Sequence, residues 1–302
     1  MYPGSVFSAP GNVRVGLLLS EEGGAYREFA DSFVARFQQL VKKTDIGVAD
    51  VNGAVLDSWR ADAPQLAVTV GTRAAQVLFD AKISVPTLRV LIARNAHEAL
   101  QAQAKDANVK TAVTAVYIEQ PWVRQFDFVR HVLPKAQRVG AILGPASQQH
   151  AARITNLAAQ HNLMPLLRIL ATQEDAGAVF KDIAEQSDVM LAVPDPAVLT
   201  PSGAKWLLYT AYQRGIPVIG FSKAYVSAGA LGAVFSTPDQ IGRQAAEMAA
   251  RFAQEGLADL GPSIFPAYFS VAINRSVARS LRLDVPDDAE LLRKLNAPQL
   301  PL

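Results

Sequence analysis

From Val13 onward, short apolar runs alternate with stretches of helical spacing. VRVGLLLS, IGVADV, LAVTVG and TLRVLIA carry too few polar positions to alternate in and out of water, so they predict strands of a covered sheet. Between them Phe29, Phe33, Phe37 and Leu40 recur every three or four residues and predict a helix. The cluster Val41-Lys42-Lys43-Thr44 is expected to place positive charge in its last turn. RAAQVLFDAK and AHEALQAQAKDA predict two more helices, each directly after a strand end. Strands separated by helices at this spacing imply βαβ units and a parallel sheet.

TAVTAVYIE leads into a predicted helix from Gln120 to Leu133, and the cycle then restarts with RVGAILG, MPLLRIL and VMLAVPD. The helices SQQHAARITNLAAQHN, DAGAVFKDIAEQS and PSGAKWLLYTAYQRG separate these strands, the last with Thr200 as N-cap and Pro201 at its first position. Next, IPVIG reads as a buried strand, FSKAYVSAG as an exposed loop at its carboxyl end, and GALGAVFS as a returning strand. Thr237-Pro238-Asp239-Gln240 supplies an N-cap, a proline at the first helical position and the Gln of a capping box. The helix that starts there buries Ile241, Ala245, Met248, Ala249 and Phe252, and the tail adds one strand and two short helices.

Two such cycles in 302 residues predict an α/β protein of two doubly wound parallel-sheet lobes joined by a hinge. The first lobe is expected over 12–116 and 237–267, the second over 117–236 and 268–302. The capped helix is expected back in the first lobe to close its sheet. The hinge then falls near Val116 to Tyr117, Ser236 to Thr237 and Pro266 to Phe269.

Composition narrows the function. Half of the residues are hydrophobic and 19% charged, which suits globular cores. A net charge of +2 without a basic tract or glycine-lysine phosphate loop points to neither nucleic acid nor a membrane surface as partner. With no cysteine, thiol catalysis, disulfides and cysteine zinc sites are excluded. His97, His131, His150 and His161 lack metal-ligand spacing, and no nucleophile elbow, H-E-x-x-H or G-x-G-x-x-G motif is present. We therefore expect no enzyme, no metal and no cofactor. The opening MYPGSVFSAPGN has no basic flank and apolar core of an export signal. Its Pro, Gly and Ser resemble the tether that follows a removed one, and equally an ordinary chain end.

In open α/β sheets ligands bind outside the strand carboxyl ends. That rule selects Ser20, Glu21 and Tyr26 after the first strand, Gly71 and Thr72 after the third, Arg94 and Asn95 after the fourth, and Tyr117 at the crossover. In the second lobe it selects Ser147, Asp195, Ser222 and Lys223. Gly71-Thr72 is the most informative pair. A small residue at a helix start leaves backbone N–H groups and the positive dipole end free for a carboxylate or phosphate, although Thr72 could equally be a simple N-cap. Phe29, Phe33 and Phe37 are core residues by spacing.

GTRAAQVL after LAVTV, LPKAQRVGAILGPAS, AGAL followed by GRQAAEMA, and VAINRSVARSLRLDVPDD together closely resemble the ABC-transporter solute-binding proteins of the tryptophan/tyrosine-binding type. The resemblance runs from Val13 over nearly the whole chain. It implies the type 1 periplasmic-binding-protein fold and a small ligand, carboxylate or amino-acid-like and possibly aromatic, trapped between lobes. It also implies a periplasmic or extracytoplasmic location and delivery to an ABC permease by a monomeric protein. Gly71 and Thr72 become expected carboxylate contacts, with Ser20, Asn95, Asp195 and Ser222 as cleft walls. Where members of that family carry an acidic residue after the strand equivalent to IPVIG, this chain has Phe221-Ser222-Lys223. That departure favours an anionic or neutral aromatic ligand over a zwitterion. A ligand-sensing domain of the same fold, acting on a signalling partner, is the alternative function.

Overall fold

Residue 13 opens the first strand, β1 (Val13–Leu19), and the computed structural model describes residues 12–52, 55–106, 111–170, 176–256 and 259–296. The opening segment 1–11, read above as tether or chain end, and 297–302 at the close of the second expected lobe lie outside the described residues. After β1 come α1 (Gly24–Leu40), β2 (Thr44–Asp50), α2 (Val55–Ala61), β3 (Leu66–Val70), α3 (Thr72–Asp80), β4 (Thr87–Ile92), α4 (Arg94–Asp106) and β5 (Val113–Tyr117). The second cycle contains α5 (Trp122–Val132), β6 (Arg138–Leu143), α6 (Ala151–Gln160), β7 (Met164–Ile169), α7 (Ala176–Gln186), β8 (Val189–Leu191) and α8 (Pro201–Gln213). The chain ends with β9 (Val218–Gly220), α9 (Lys223–Ser227), β10 (Gly232–Phe235), α10 (Pro238–Gln254), β11 (Ser270–Ile273), α11 (Arg275–Ser280) and α12 (Asp288–Asn296).

The chain forms two compact units, one of residues up to Glu119 with Ser236–Tyr268, the other of Gln120–Phe235 with the residues from Phe269. The first change of unit falls after Glu119, three residues beyond Val116. The reason is local: Tyr117 N–H donates to Ile264 O and Ile118 N–H to Ile92 O, which ties both residues into the first unit.

The first unit holds a five-stranded, all-parallel sheet in the order β2-β1-β3-β4-β5. Leu17 and Leu18, on opposite faces of β1, are both fully buried, as a sheet covered on both sides requires. One face packs on Phe29, Phe33 and Phe37 of α1 and Ile241, Ala245, Met248 and Phe252 of α10. The other meets Trp59 of α2 and Ala74 and Leu78 of α3. Thr237 and Gln240 form the capping box reciprocally, so α10 starts where its sequence says. At Gly242 a Cβ would lie 2.7 Å from Phe29 O; glycine lets α10 approach the α1 backbone. Across the same helix pair, Glu247 accepts from Arg36 Nε at 3.0 Å and Nη2 at 2.7 Å, and from the Tyr268 hydroxyl at 2.9 Å.

The second unit has a six-stranded sheet, β11-β10-β9-β8-β6-β7, parallel except for the antiparallel β10-β11 pair. Phe126, Phe128 and Val129 of α5 line one core with Leu291 of α12, and Phe180, Ile183 and Leu207 of α7 and α8 line the other.

Three local readings change. The Lys42-Lys43 cluster follows α1, which ends at Leu40 with no basic residue in its last turn. SQQH forms a single 3-10 turn, Gln148–His150, before α6 starts at Ala151. The expected loop FSKAYVSAG contains α9, because Ser222 Oγ accepts from Tyr225 N–H at 3.2 Å and so caps a short helix.

His97 of α4 is buried in the first unit, edge-on to Tyr117 at 5.7 Å and with Nε2 3.2 Å from Ser263 Oγ. Burial, reinforced by the Arg89 charge, lowers its pKa from 6.5 to about 4. Folding therefore favours the neutral ring, and the stability this provides is present above pH 6.5 and lost as pH falls toward 4. Urea titrations should show about 2 kcal/mol less stability from this group at pH 5 than at pH 7. The difference between the two pH values should shrink by that amount in His97→Gln; an unchanged difference would mean that the ring is charged in the folded state.

Candidate functional site

In the order β2-β1-β3-β4-β5 the winding direction reverses between β1 and β3, so the crevice at that switch point is bounded by the loops after Leu19 and after Val70. Four of the sequence-selected residues meet there. Gly71 adopts φ +95°, a conformation that glycine tolerates and other residues resist, and caps the start of α3. A Cβ on it would lie 2.5 Å from Ser20 Oγ and 2.7 Å from Tyr26 Cε1, so the hydroxyl and the ring fill the space a side chain there would need. Thr72 is the first residue of α3 rather than its N-cap.

Ser20 is buried and has a structural task. Its Oγ donates to Val70 O at 2.9 Å and accepts from Ala74 N–H at 3.0 Å, locking the β1 loop to the helix start. Ala75 N–H bonds Gly71 O at 3.2 Å. The first-turn donors left to a ligand are thus the N–H groups of Thr72 and Arg73, at the positive end of a nine-residue helix. Tyr26 is half-buried beside them, while Glu21 is exposed.

Two residues at this edge were not selected from sequence. Asp50 ends β2, accepts from Asn52 N–H at 2.6 Å, and is held below the usual carboxylate range mainly by that bond. Asn52 Oδ1 in turn accepts from Arg73 Nη2 at 2.9 Å. The signal was present, since IGVADV has a carboxyl end like the other strands.

Near the end of β4, Leu91 takes φ +47° at a register shift between Val90 and Ile92, a bulge just before the Arg94 turn. Arg94 and Asn95 begin α4. Both serve local structure: Arg94 Nε donates to Glu98 Oε1 at 2.6 Å, and Asn95 Oδ1 accepts from Ala96 N–H at 2.8 Å. Glu119, also missed from sequence, accepts Arg94 N–H at 2.9 and 3.1 Å on its two oxygens, and burial raises its pKa against that bond. Tyr117 is buried between the His97 and Phe265 rings, at 5.7 and 5.3 Å.

In the second unit the same reversal lies between β6 and β8, and Ser147 and Asp195 occupy its two loops. Both are buried, and Ser147 Oγ donates to Asp195 Oδ2 at 2.8 Å while Ala197 N–H donates to Oδ1 at 2.9 Å. Gly144 is required here, because a Cβ would stand 2.4 Å from Asp195 Oδ1. Ser222 caps α9 and Lys223, its first residue, is exposed. A cavity of about 500 Å³ lies elsewhere, along α10 by Gln244, Glu247 and Tyr268. Among the described residues no group of three potential metal ligands occurs, and no helix is long and apolar enough to cross a membrane.

A family model described as ABC transporter substrate binding protein matches residues 44–293. No curated protein matches the sequence. Among solved structures, a conserved domain protein from Vibrio cholerae is 20% identical with TM-score 0.62, covering 94% of this chain and 98% of its own. An ABC domain from Streptococcus pneumonia in complex with L-Trp is 17% identical with TM-score 0.62, over 94% and 98%. A substrate-binding protein with adhesive properties from Clostridium difficile, in a ligand-free, open structure, is 16% identical with TM-score 0.70, over 91% and 96%. At these identities the likeness is one of fold, that of the type 1 periplasmic binding proteins.

The locked serine yields a prediction. Ser20→Ala leaves the buried Ala74 N–H without its acceptor and should lower stability by about 1–3 kcal/mol. Exposed Glu21→Gln should change it by less than about 0.5 kcal/mol. Chemical denaturation of both variants measures the contrast, and equal effects would show that Ser20 does not hold the helix start.

Proposed function

This chain belongs to the family of ABC transporter substrate-binding proteins, and from that membership we propose that it captures a small organic carboxylate outside the cytoplasm and delivers it to a membrane permease. The observation that carries the reading is the amino end of α3. There Gly71 lets Ser20 and Tyr26 pack against the helix start, Ser20 takes the Ala74 N–H, and Thr72 and Arg73 offer backbone donors beside the Tyr26 ring. An anion at a helix amino end meets aligned N–H groups and the positive dipole end without a buried counter-charge. Tyr26 suits an aromatic or aliphatic body attached to that carboxylate.

An anion or neutral aromatic is favoured over a zwitterion. A buried ammonium needs acceptors. Asp195 already accepts from Ser147 and Ala197, and the Ser222 hydroxyl caps α9. In this proposal the places where the chain changes unit, after Glu119, Phe235 and Tyr268, act as hinges.

A thermal-shift screen of aromatic and aliphatic carboxylates against the common amino acids, followed by calorimetry on hits, tests the proposal. Thr72→Pro is the informative variant, since proline fits the first helical position and deletes one N–H. It should weaken carboxylate binding about 10-fold or more, the cost of one charge-assisted hydrogen bond, with the melting point of the free protein retained. Unchanged affinity in Thr72→Pro, or binding of amino acids alone that disappears in Asp195→Asn, would overturn it.

A further inference from the structure

Inside the first unit, on the sheet face covered by α3 and α4, three buried polar groups lie on neighbouring elements. Thr69 of β3 and Arg89 of β4 are direct register partners, with side chains on the sheet face covered by α3 and α4. Arg89 reaches α4, where Nη1 lies 3.5 Å from His97 O. All three residues are at most 4% exposed. Thr69 Oγ1, Arg89 Nε and His97 Nδ1 are each without a hydrogen-bond partner among the described residues.

The charge balance is more telling than the count of donors. A buried guanidinium ordinarily faces a carboxylate, because an uncompensated buried charge costs several kcal/mol. No acidic side chain among the described residues forms an ion pair with Arg89. Burial lowers its pKa only to about 10, so it remains a cation at neutral pH. His97 cannot compensate it, being neutral there. The histidine tautomer adds to the pattern. Ser263 Oγ accepts from Ala115 N–H at 3.0 Å and lies 3.2 Å from His97 Nε2; when the hydroxyl donates to Nε2, the neutral ring carries its own proton on Nδ1. Guanidinium N–H, imidazole N–H and threonine O–H are then three donors around one positive charge.

We propose that Thr69, Arg89 and His97 form an internal site for a small monovalent anion, chloride in particular, that neutralises Arg89 beneath α4. Its residues are none of those assigned to the ligand edge at α3, and the proposal does not rest on the transport reading. Its occupant strengthens the packing of α4 on β3 and β4.

The test is thermal unfolding of the full chain at constant ionic strength, with sodium gluconate replaced stepwise by sodium chloride or bromide. Binding to the folded state alone should raise the midpoint by about 2–4 °C per tenfold of halide above its dissociation constant. Arg89→Met should abolish the dependence. If Arg89→Met does not fold, Thr69→Val, which keeps the volume and removes one donor, should reduce it. Bromide-soaked crystals should show an anomalous peak between Arg89 Nε and His97 Nδ1. Midpoints equal in gluconate and chloride, an undiminished dependence in whichever variant folds, or a water molecule in place of the bromide peak would overturn the proposal.

Discussion

A parallel sheet with apolar side chains on both faces must be covered on both faces, and the first unit depends on that requirement. The crossovers that follow β2, β3 and β4 supply α2, α3 and α4, but α1 alone covers only part of the opposite face. The rest is covered by α10, whose sequence begins only after five strands of the second unit, β6 to β10. The chain therefore returns, and it does so through a helix fixed at its start by the Thr237–Gln240 capping box and fitted to α1 at Gly242. Burying Ile241, Ala245, Met248 and Phe252 ties the fold of the first unit to a segment about 120 residues downstream of β5.

Both sheets place a reversal of winding between their first and third strands, so the same topology opens a crevice in each. The chemistry at the two crevices differs. In the first unit a hydroxyl holds the start of α3 and leaves donors at its tip. In the second, Ser147 and Asp195 are buried against each other, and the glycine opposite them admits no side chain. A shared fold fixes where these loops stand and not which of them remain available.

This distinction marks how far the sequence could be read. Strands and helices were legible because burial imposes periodicity, and Thr200, Pro201, Thr237 and Gln240 announced their helix starts. The carboxyl-end rule found Ser20, Tyr26, Gly71 and Thr72, which the structure does bring together. It could not show that Ser147 would bond a residue 48 positions away, or that the Arg94 N–H would be taken by Glu119, 25 positions on. Such pairings depend on strand order, which local pattern does not encode. α9 was read as a loop because five residues are too few to display a helical period. Arg89 was hidden for the opposite reason: in TLRVLIA one charged residue does not disturb an apolar run, and nothing local says that it is buried with its strand.

Charge at the first unit's edge follows from these pairings. Three carboxylates of the first unit are held by partners within it: Glu98 pairs with the Arg94 charge, while Glu119 accepts from the α4 backbone and Asp50 from Asn52, bonds from neutral donors that orient a carboxylate without cancelling its charge. Glu21 remains exposed to water, where screening weakens its reach. In the proposed function the N–H groups of Thr72 and Arg73 and the α3 dipole favour an anion despite these carboxylates, because backbone dipoles cannot be titrated. Selectivity for a carboxylate would then rest on the helix rather than on the chain's net charge of +2.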